Sequence, residues 1–460
     1  VQTALGGSLP LNAADYGVLP GASDTAVVAG LNEALTVAAE NMAAAGLGPY
    51  GGKVIVPAGA YDFNGLVDVP SGVDLVGMGT YATRFNATGA DAQFRFGDGG
   101  GATAVTNLGG ISGGFRVWGA DIATNPFFVG ASVSRIFAYV ELNKALGDGL
   151  RCEQAQNCAF IEFTGTNCGG SGLVVDYGCG GLKFYTSEFS INGYANGRMT
   201  HSGAVTGAGY AVNQQISFDN CRFEGPGQTA SQVATFVHEA GTSTNFHDTI
   251  LSQYSGAAGQ AALWGTNIPV FQMTKLAAAS ASSRVSFTGA CLLNGSAPVA
   301  GVAYNGTGID CLNSPGQSGA NVYLGAGTII QLCDTALKIG DSSTIEADNF
   351  VVVNCTTRFA NQTAGVATEA MVVKHTGGHA SLTGVDPAYP TLKTTAAAAQ
   401  TANIVENYGS GGLVSSLSNS GSLALNANLT AIIAKLGRGA VGAPAFTFTN
   451  DPDCGMWSPL

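Results

Sequence analysis

Short apolar runs recur along this chain at a nearly constant step of 20 to 23 residues. Cys291, Cys311, Cys333 and Cys355 are separated by 20, 22 and 22 residues, and Leu337 to Phe359, Ile329 to Val351 and Ile330 to Val352 each span 22. Upstream, Ala138, Val140 and Leu150 map onto Ile161, Phe163 and Leu173 with an offset of 23. Ile161, Phe163 and Cys158 then map onto Leu182, Phe184 and Cys179 with an offset of 21. A step of this size is one coil of a parallel β-helix, in which a side chain that fits one interior position stacks on its equivalent in the next coil. Gly147-Asp148-Gly149-Leu150 and Gly170-Ser171-Gly172-Leu173 read as turns that open successive coils, because glycine accepts φ > 0.

The 67 glycines and a charged fraction of only 10% fit short strands between turns better than long amphipathic helices, which need a charged outer face. A solenoid grows in one direction, so 460 residues need not divide into several compact domains. One helix is expected, over Thr25 to Ala45, capped by Ser23-Asp24, with Val27, Val28, Leu31, Leu35 and Ala38 on its apolar face. It is placed as a lid over the first coil, whose open strand edge would otherwise template aggregation. The expected organisation is an entry segment with the capping helix and first coils over 1–85, a solenoid body over 86–385 and a β-rich distal region over 386–460.

The formal net charge of −12 argues against nucleic acid, whose phosphates need clustered Lys and Arg, and favours a ligand held by hydrogen bonds such as a sugar. No apolar run approaches a membrane span, so no membrane insertion is expected. Val1-Gln2-Thr3-Ala4 lacks a signal pattern, and the missing initiator Met suggests a trimmed chain. None of the ten cysteines has a zinc-type spacing, and they read as buried free thiols filling small interior positions. No metal or cofactor is expected; Asp451 and Asp453 around Pro452 are the weak candidates for a cation.

Asn12-Ala13-Ala14-Asp15-Tyr16-Gly17, then Asp24-Thr25 opening the helix, then Gly51-Gly52-Lys53-Val54-Ile55-Val56-Pro57-Ala58-Gly59-Ala60-Tyr61 resembles the entry segment of pectate-lyase-like right-handed β-helix proteins. Val69-Pro70-Ser71-Gly72-Val73-Asp74-Leu75-Val76-Gly77-Met78-Gly79 continues the likeness, while Pro20-Gly21-Ala22-Ser23 departs from the family's acidic, glycine-rich stretch. Near the other end, the segment from Pro444 through Phe446, Asp451, Cys454 and Trp457 to Pro459 is similar to a short motif at the distal end of bacteriophage tail fibres and tailspikes. The resemblance implies an all-β, right-handed single-stranded parallel β-helix with a C-terminal β-rich trimerisation region. It also implies a homotrimer outside the cell, on the virion tail beside other tail proteins, that binds and depolymerises a bacterial surface polysaccharide by hydrolysis or β-elimination. The alternatives are a non-catalytic adhesin or structural spike, and a secreted polysaccharide lyase or epimerase.

Alternation places Leu150, Cys152, Leu173 and Val175 inward and Arg151, Glu153, Val174 and Asp176 outward. Glu153 and Asp176 share the 23-residue offset, so they are expected on adjacent strands ~4.8 Å apart, near the ~5 Å carboxyl separation of retaining glycoside hydrolysis. Crowding would raise one of their pKa values and create an acid beside a base, which makes them the candidate catalytic pair. The competing reading is solvated surface, with Arg151 neutralising Glu153. About a dozen residues beyond one coil separate Phe184 from Tyr210-Ala211-Val212 and Ile216-Ser217-Phe218. This extra segment is expected to form a loop carrying Tyr194, Asn196, Arg198 and His201. Arg151, Arg198, His201, His238, Glu239 and Tyr194 are the expected substrate contacts, with His201 and His238 as candidate bases. Trp118, Trp264, Tyr177 and Tyr254 offer further rings for sugar stacking or for interior packing.

Overall fold

A computed structural model describes residues 10–46, 51–97, 107–131, 133–200, 213–225, 232–239, 243–253, 268–273, 284–295, 306–311, 321–339, 344–347, 350–361 and 370–373, together with five short strands between 405 and 456. The chain divides into two compact units, Val1–Thr376 and Gly377–Leu460.

In the first unit every strand pairing is parallel, and each regular coil contributes three short strands. Ala159–Ile161, Thr164–Thr166 and Leu173–Val175 make one coil. Lys183–Tyr185, Glu188–Ser190 and Gly197–Met199 make the next, each strand pairing with its predecessor. The first two strands of each coil belong to a sheet of 22 strands and the third to a sheet of 11, called here the wide and narrow sheets. Hydrogen bonds thus run from coil to coil. The fold is a parallel β-helix.

Its interior is organised by phenylalanine. Phe137, Phe160, Phe184, Phe218, Phe246 and Phe287 are paired in register one above another on the wide sheet. Their rings stack with centroids 4.6 to 5.1 Å apart and planes within 7 to 19°. Phe189 over Phe223 and Phe236 over Phe271 begin parallel columns on the other two strand faces. Rings of different columns meet edge to face, as do Phe218 with Phe223 at 5.3 Å and Phe236 with Phe246 at 5.1 Å. All of these rings are fully buried, and offset-stacked and edge-on contacts are the geometries that aromatic quadrupoles favour.

The offset of 23 linking Ala138 to Ile161 and Leu150 to Leu173 is the true register, as are the 22-residue steps from Leu337, Ile329 and Ile330. The offset of 21 is not: Phe160 pairs with Phe184 and Ile161 with Tyr185, a step of 24. The cysteine series is also mostly coincidental. Cys291 lies at a corner of the wide sheet, Cys311 ends a strand of the narrow sheet, and only Cys333 and Cys355 are equivalent positions one coil apart. The nine cysteines among the described residues are free thiols. Burial pushes those of Cys158, Cys168, Cys221 and Cys311 up to about 12, which keeps them as inert small hydrophobes.

One corner repeats over four successive coils. There the two strands of the wide sheet are joined by two residues, of which the first takes positive φ: Glu162 (48°), Thr186 (50°), Asn220 (51°) and Asp248 (48°). In the last three the second residue turns inward and bonds a carbonyl of a neighbouring coil, through Ser187 Oγ to Phe160, Cys221 Sγ to Phe184 and Thr249 Oγ1 to Phe218. Left-handed conformations are costly for residues other than glycine, and the peptide ladder compensates, with Glu162, Thr186 and Asn220 each donating N–H to the next coil at 2.9 to 3.0 Å.

The helix runs over Asp24–Ala44, with the Ser23 hydroxyl accepting from the Ala26 amide. Val27, Leu31, Ala34, Leu35, Ala38 and Met42 are buried against the first strands, and Asn32 bonds the Leu66 carbonyl and the Asp68 amide. In the second unit, Val405–Gly409, Gly412–Leu417 and Leu423–Leu425 form an antiparallel sheet, and Phe446–Phe448 pairs with Asp451–Met456 as a hairpin.

His238 is a correction to the expected set of surface contacts. It ends the strand Phe236–His238 with its side chain inward, between Met199 and Met273 in register, fully buried, with Nε2 3.0 Å from Thr244 Oγ1. Burial lowers its pKa from 6.5 to about 4. Because the folded value lies below the unfolded one, the stabilisation is complete above about pH 6.5 and is lost as pH falls toward 4, a loss of about 3 kcal/mol by linkage. His238→Met, which continues the methionine column, is expected to remove that acid sensitivity. Unfolding midpoints between pH 7 and 4.5 check it; equal slopes in both proteins refute the assignment.

Candidate functional site on the narrow sheet

The outward face of the narrow sheet holds most of the expected contacts. Cys152, Val175, Met199 and His238 follow one another in register and point inward, so the next residues, Glu153, Asp176, Thr200 and Glu239, form an outward column. Their amides donate to the preceding coil at 2.8 to 2.9 Å, which fixes the column's spacing. Two residues back lies a second outward column containing Phe128, Arg151, Val174, Arg198 and Val237.

Glu153 and Asp176 are neighbours, as the offset implied, but Arg151 stands between them. Its Nε donates to Glu153 Oε1 at 2.6 Å, Nη2 to Asp176 Oδ2 at 2.5 Å and Nη1 to Asp148 Oδ2 at 3.4 Å. Burial opposes its charge, but the Glu153 hydrogen bond and the charges of Glu153, Asp176 and Asp148 outweigh this and hold the guanidinium above its usual pKa. The Asp176 side chain is 0% exposed, and its Oδ1 accepts from the Tyr177 amide at 2.8 Å. The expected catalytic role of Asp176 therefore fails on access: both oxygens are engaged and neither meets solvent. Glu153, 17% exposed, keeps Oε2 outside the network among the described residues. Asp148 is the member that sequence reasoning missed. In the sequence it stands only as part of the Gly147-Asp148-Gly149-Leu150 turn, and its Oδ1 does accept from the Ser171 amide of the next coil.

Tyr194, Asn196 and Arg198 lie in a regular coil, not in a loop. Gly197–Met199 pairs with Leu173–Val175 and Phe236–His238. Asn196 is buried, bonding the carbonyls of Glu224 and Gly225. Arg198 places its guanidinium 4.9 Å from the centre of the Tyr194 ring and donates to Glu239 Oε2 at 2.9 and 3.0 Å. Glu239 is 13% and Arg198 31% exposed. Tyr194 packs against a small apolar cluster of Ala195, Ala234 and Val237 on the outside of the sheet.

The extra residues fall beyond this strand. Sixteen residues separate Met199 from Ile216, where seven separate Val175 from Lys183; eleven separate Glu224 from Phe236, where six separate Ser190 from Gly197. The additions thus occur at the two ends of the narrow-sheet strands, while the corner at Asn220 keeps its two residues. His201, Trp264 and Tyr254 lie outside the described residues. Trp118 faces outward beneath Lys144, whose Nζ is 5.6 Å from its ring, and burial raises the Tyr177 pKa. His247 and Asp248 pair at 3.3 Å at the surface. Among the described residues no group of three or more His, Cys, Asp or Glu could hold a metal, and no helix is long and apolar enough to cross a membrane.

No protein-family model and no curated protein matches this sequence. Among solved structures it is similar to ORF18 of Geobacillus virus E2, with 15% identity over 78% of this chain and a TM-score of 0.48; the chain spans 62% of that protein's length. It is also similar to the A-module of Azotobacter vinelandii mannuronan C-5 epimerase AlgE4, at 15% identity, 79% of this chain, 100% of the other and a TM-score of 0.46. The Agl-KA catalytic domain gives 10% identity, 79% and 68% coverage and a TM-score of 0.48.

Proposed function

We propose that this chain is a tailspike-type β-helix that binds a bacterial surface polysaccharide along the outward face of its narrow sheet. The observation that carries this reading is the pair Glu153 and Glu239. They occupy one outward column three strand steps apart, each with one carboxylate oxygen held by an arginine and the other outside any hydrogen bond among the described residues. Three steps of ~4.8 Å separate them by ~14 Å, a span suited to an extended glycan. Arginine-fixed acceptors are oriented before the ligand arrives, which reduces the entropy lost on binding hydroxyl groups. The resemblances at both ends of the sequence supply the tailspike context, with its homotrimer, tail-protein partners and extracellular site on the virion. The trimer gains support from Ile250, Leu292, Ile329 and Val351, which stack in register on the outside of the wide sheet with Val351 46% exposed, an apolar strip that a neighbouring copy would cover.

Binding without cleavage is the favoured form, because the buried Asp176 leaves Glu153 without an accessible acid or base partner in the adjacent coil. The test is retention of the purified chain on a panel of immobilised bacterial surface polysaccharides, with light scattering for the trimer mass. At least one polymer is expected to retain the protein without shortening, and Arg198→Ala/Glu239→Gln is expected to weaken retention tenfold or more, since charge-assisted hydrogen bonds contribute ~1.5–3 kcal/mol. Retention by none, or equal retention of the variant, overturns the proposal. Shortened or unsaturated chains that vanish with Glu153→Gln would instead make the protein a depolymerase.

A further inference from the structure

A hollow lies on the wide sheet, away from the narrow-sheet face. It measures about 220 Å³ and is lined by Arg284, Asn321, Val322, Tyr323 and Glu346. Three successive strands build it: Arg284–Thr288, Asn321–Leu324 and Thr344–Ala347. Register sets Arg284 beside Asn321 and Tyr323 between Ser286 and Glu346. Val322 and Val285 alternate inward and are buried, so Tyr323 and its neighbours face out from a rigid backbone.

We propose that this hollow binds a single uncharged pyranose unit. The inference rests on the polysaccharide reading above and adds to it a separate subsite with its own residues. A hollow below the ~300–1,000 Å³ of drug-sized pockets admits one ring and not a chain segment. Its chemistry is that of a polyol site: the Arg284 guanidinium donates, the Glu346 carboxylate accepts, the Asn321 amide does both, and the Tyr323 ring supplies an apolar face for the C–H side of a sugar. Arg284 takes part in no ion pair among the described residues. Among the described residues the lining of the hollow carries one cation, Arg284, and one anion, Glu346. In a chain of net charge −12 that balance disfavours a uronate and suits a neutral ring.

The experiment is saturation-transfer NMR on the intact chain with glucose, galactose, mannose, N-acetylglucosamine and glucuronate as probes, repeated on Tyr323→Ala, Glu346→Gln and Tyr81→Ala. At least one neutral sugar is expected to receive saturation from the wild type, roughly tenfold less tightly from Tyr323→Ala, and with unchanged affinity from Tyr81→Ala, whose side chain is 88% exposed and belongs to neither site. Glu346→Gln keeps the shape and is expected to weaken the same sugar, which guards against a Tyr323→Ala variant that misfolds. No transfer to any neutral sugar, transfer to glucuronate alone, or transfer unaffected by both hollow variants overturns the inference. Retention of the whole polymer is read separately. If the polymer is bound and the hollow variants change nothing, the subsite fails and the function stands; if a neutral sugar binds here while no polymer is retained, the function fails and the subsite stands.

Discussion

Phe218→Ala is expected to lower the unfolding free energy by about 3–5 kcal/mol, the cost of a deep aromatic truncation with its residual cavity. Phe218 is fully buried and touches four rings: Phe184 and Phe246 stack on it from below and above, while Phe223 and Phe236 meet it edge-on. Little can collapse into the gap, because the neighbouring rings are held at strand spacing by the coil-to-coil hydrogen bonds. Denaturant unfolding followed by circular dichroism measures the loss, and in a solenoid it should be concentrated in the coils around residue 218. Tyr81→Ala is the control, since that side chain is 88% exposed and its removal should change stability by no more than about 0.5 kcal/mol. Equal effects of the two substitutions would mean that the aromatic column does not carry the interior.

Arg151→Ala should be nearly as damaging for an electrostatic reason. The substitution leaves three carboxylates, Asp148, Glu153 and Asp176, clustered without their shared cation, one of them with no exposed surface. Breaking a buried pair by removing one partner typically costs 3–5 kcal/mol, of which much is the penalty on the charge left behind. The double variant Arg151→Ala/Asp176→Asn is therefore expected to recover a large part of the loss, because the amide keeps the shape and discards the stranded charge. Thermal and denaturant midpoints of the single and double variants decide it. A double variant no better than the single one would place the role of Arg151 in packing along its aliphatic stem.

The solenoid was legible because a coil step imposes itself on the sequence, and it was legible where the coils are short. Ala138 to Ile161 and Leu337 to Phe359 differ by one residue in step and align by inspection. Phe184 to Phe218 and Phe246 to Phe287 are steps of 34 and 41, so the phenylalanine column, the strongest physical signal in the molecule, is invisible to any search for a fixed period. The cysteines showed the opposite failing, with regular spacing but different coil positions. At the site, alternation placed Arg151, Glu153 and Asp176 correctly on one outward face. It could not weigh burial, which depends on what lies over a strand as well as on which side a residue emerges. His238 failed for a related reason: a histidine at an inward position looks polar in sequence, yet it fills a place between two methionines.

From Glu162 to Thr249 the corner keeps its two residues while the ends of the narrow-sheet strands vary, which divides these coils into a part of constant length and a part of changing length. Segments bordering the narrow sheet can be exchanged for longer or shorter ones while the aromatic column keeps its register. Specificity and stability are then separately heritable, and a lineage can change what the face recognises without having to solve the folding problem again.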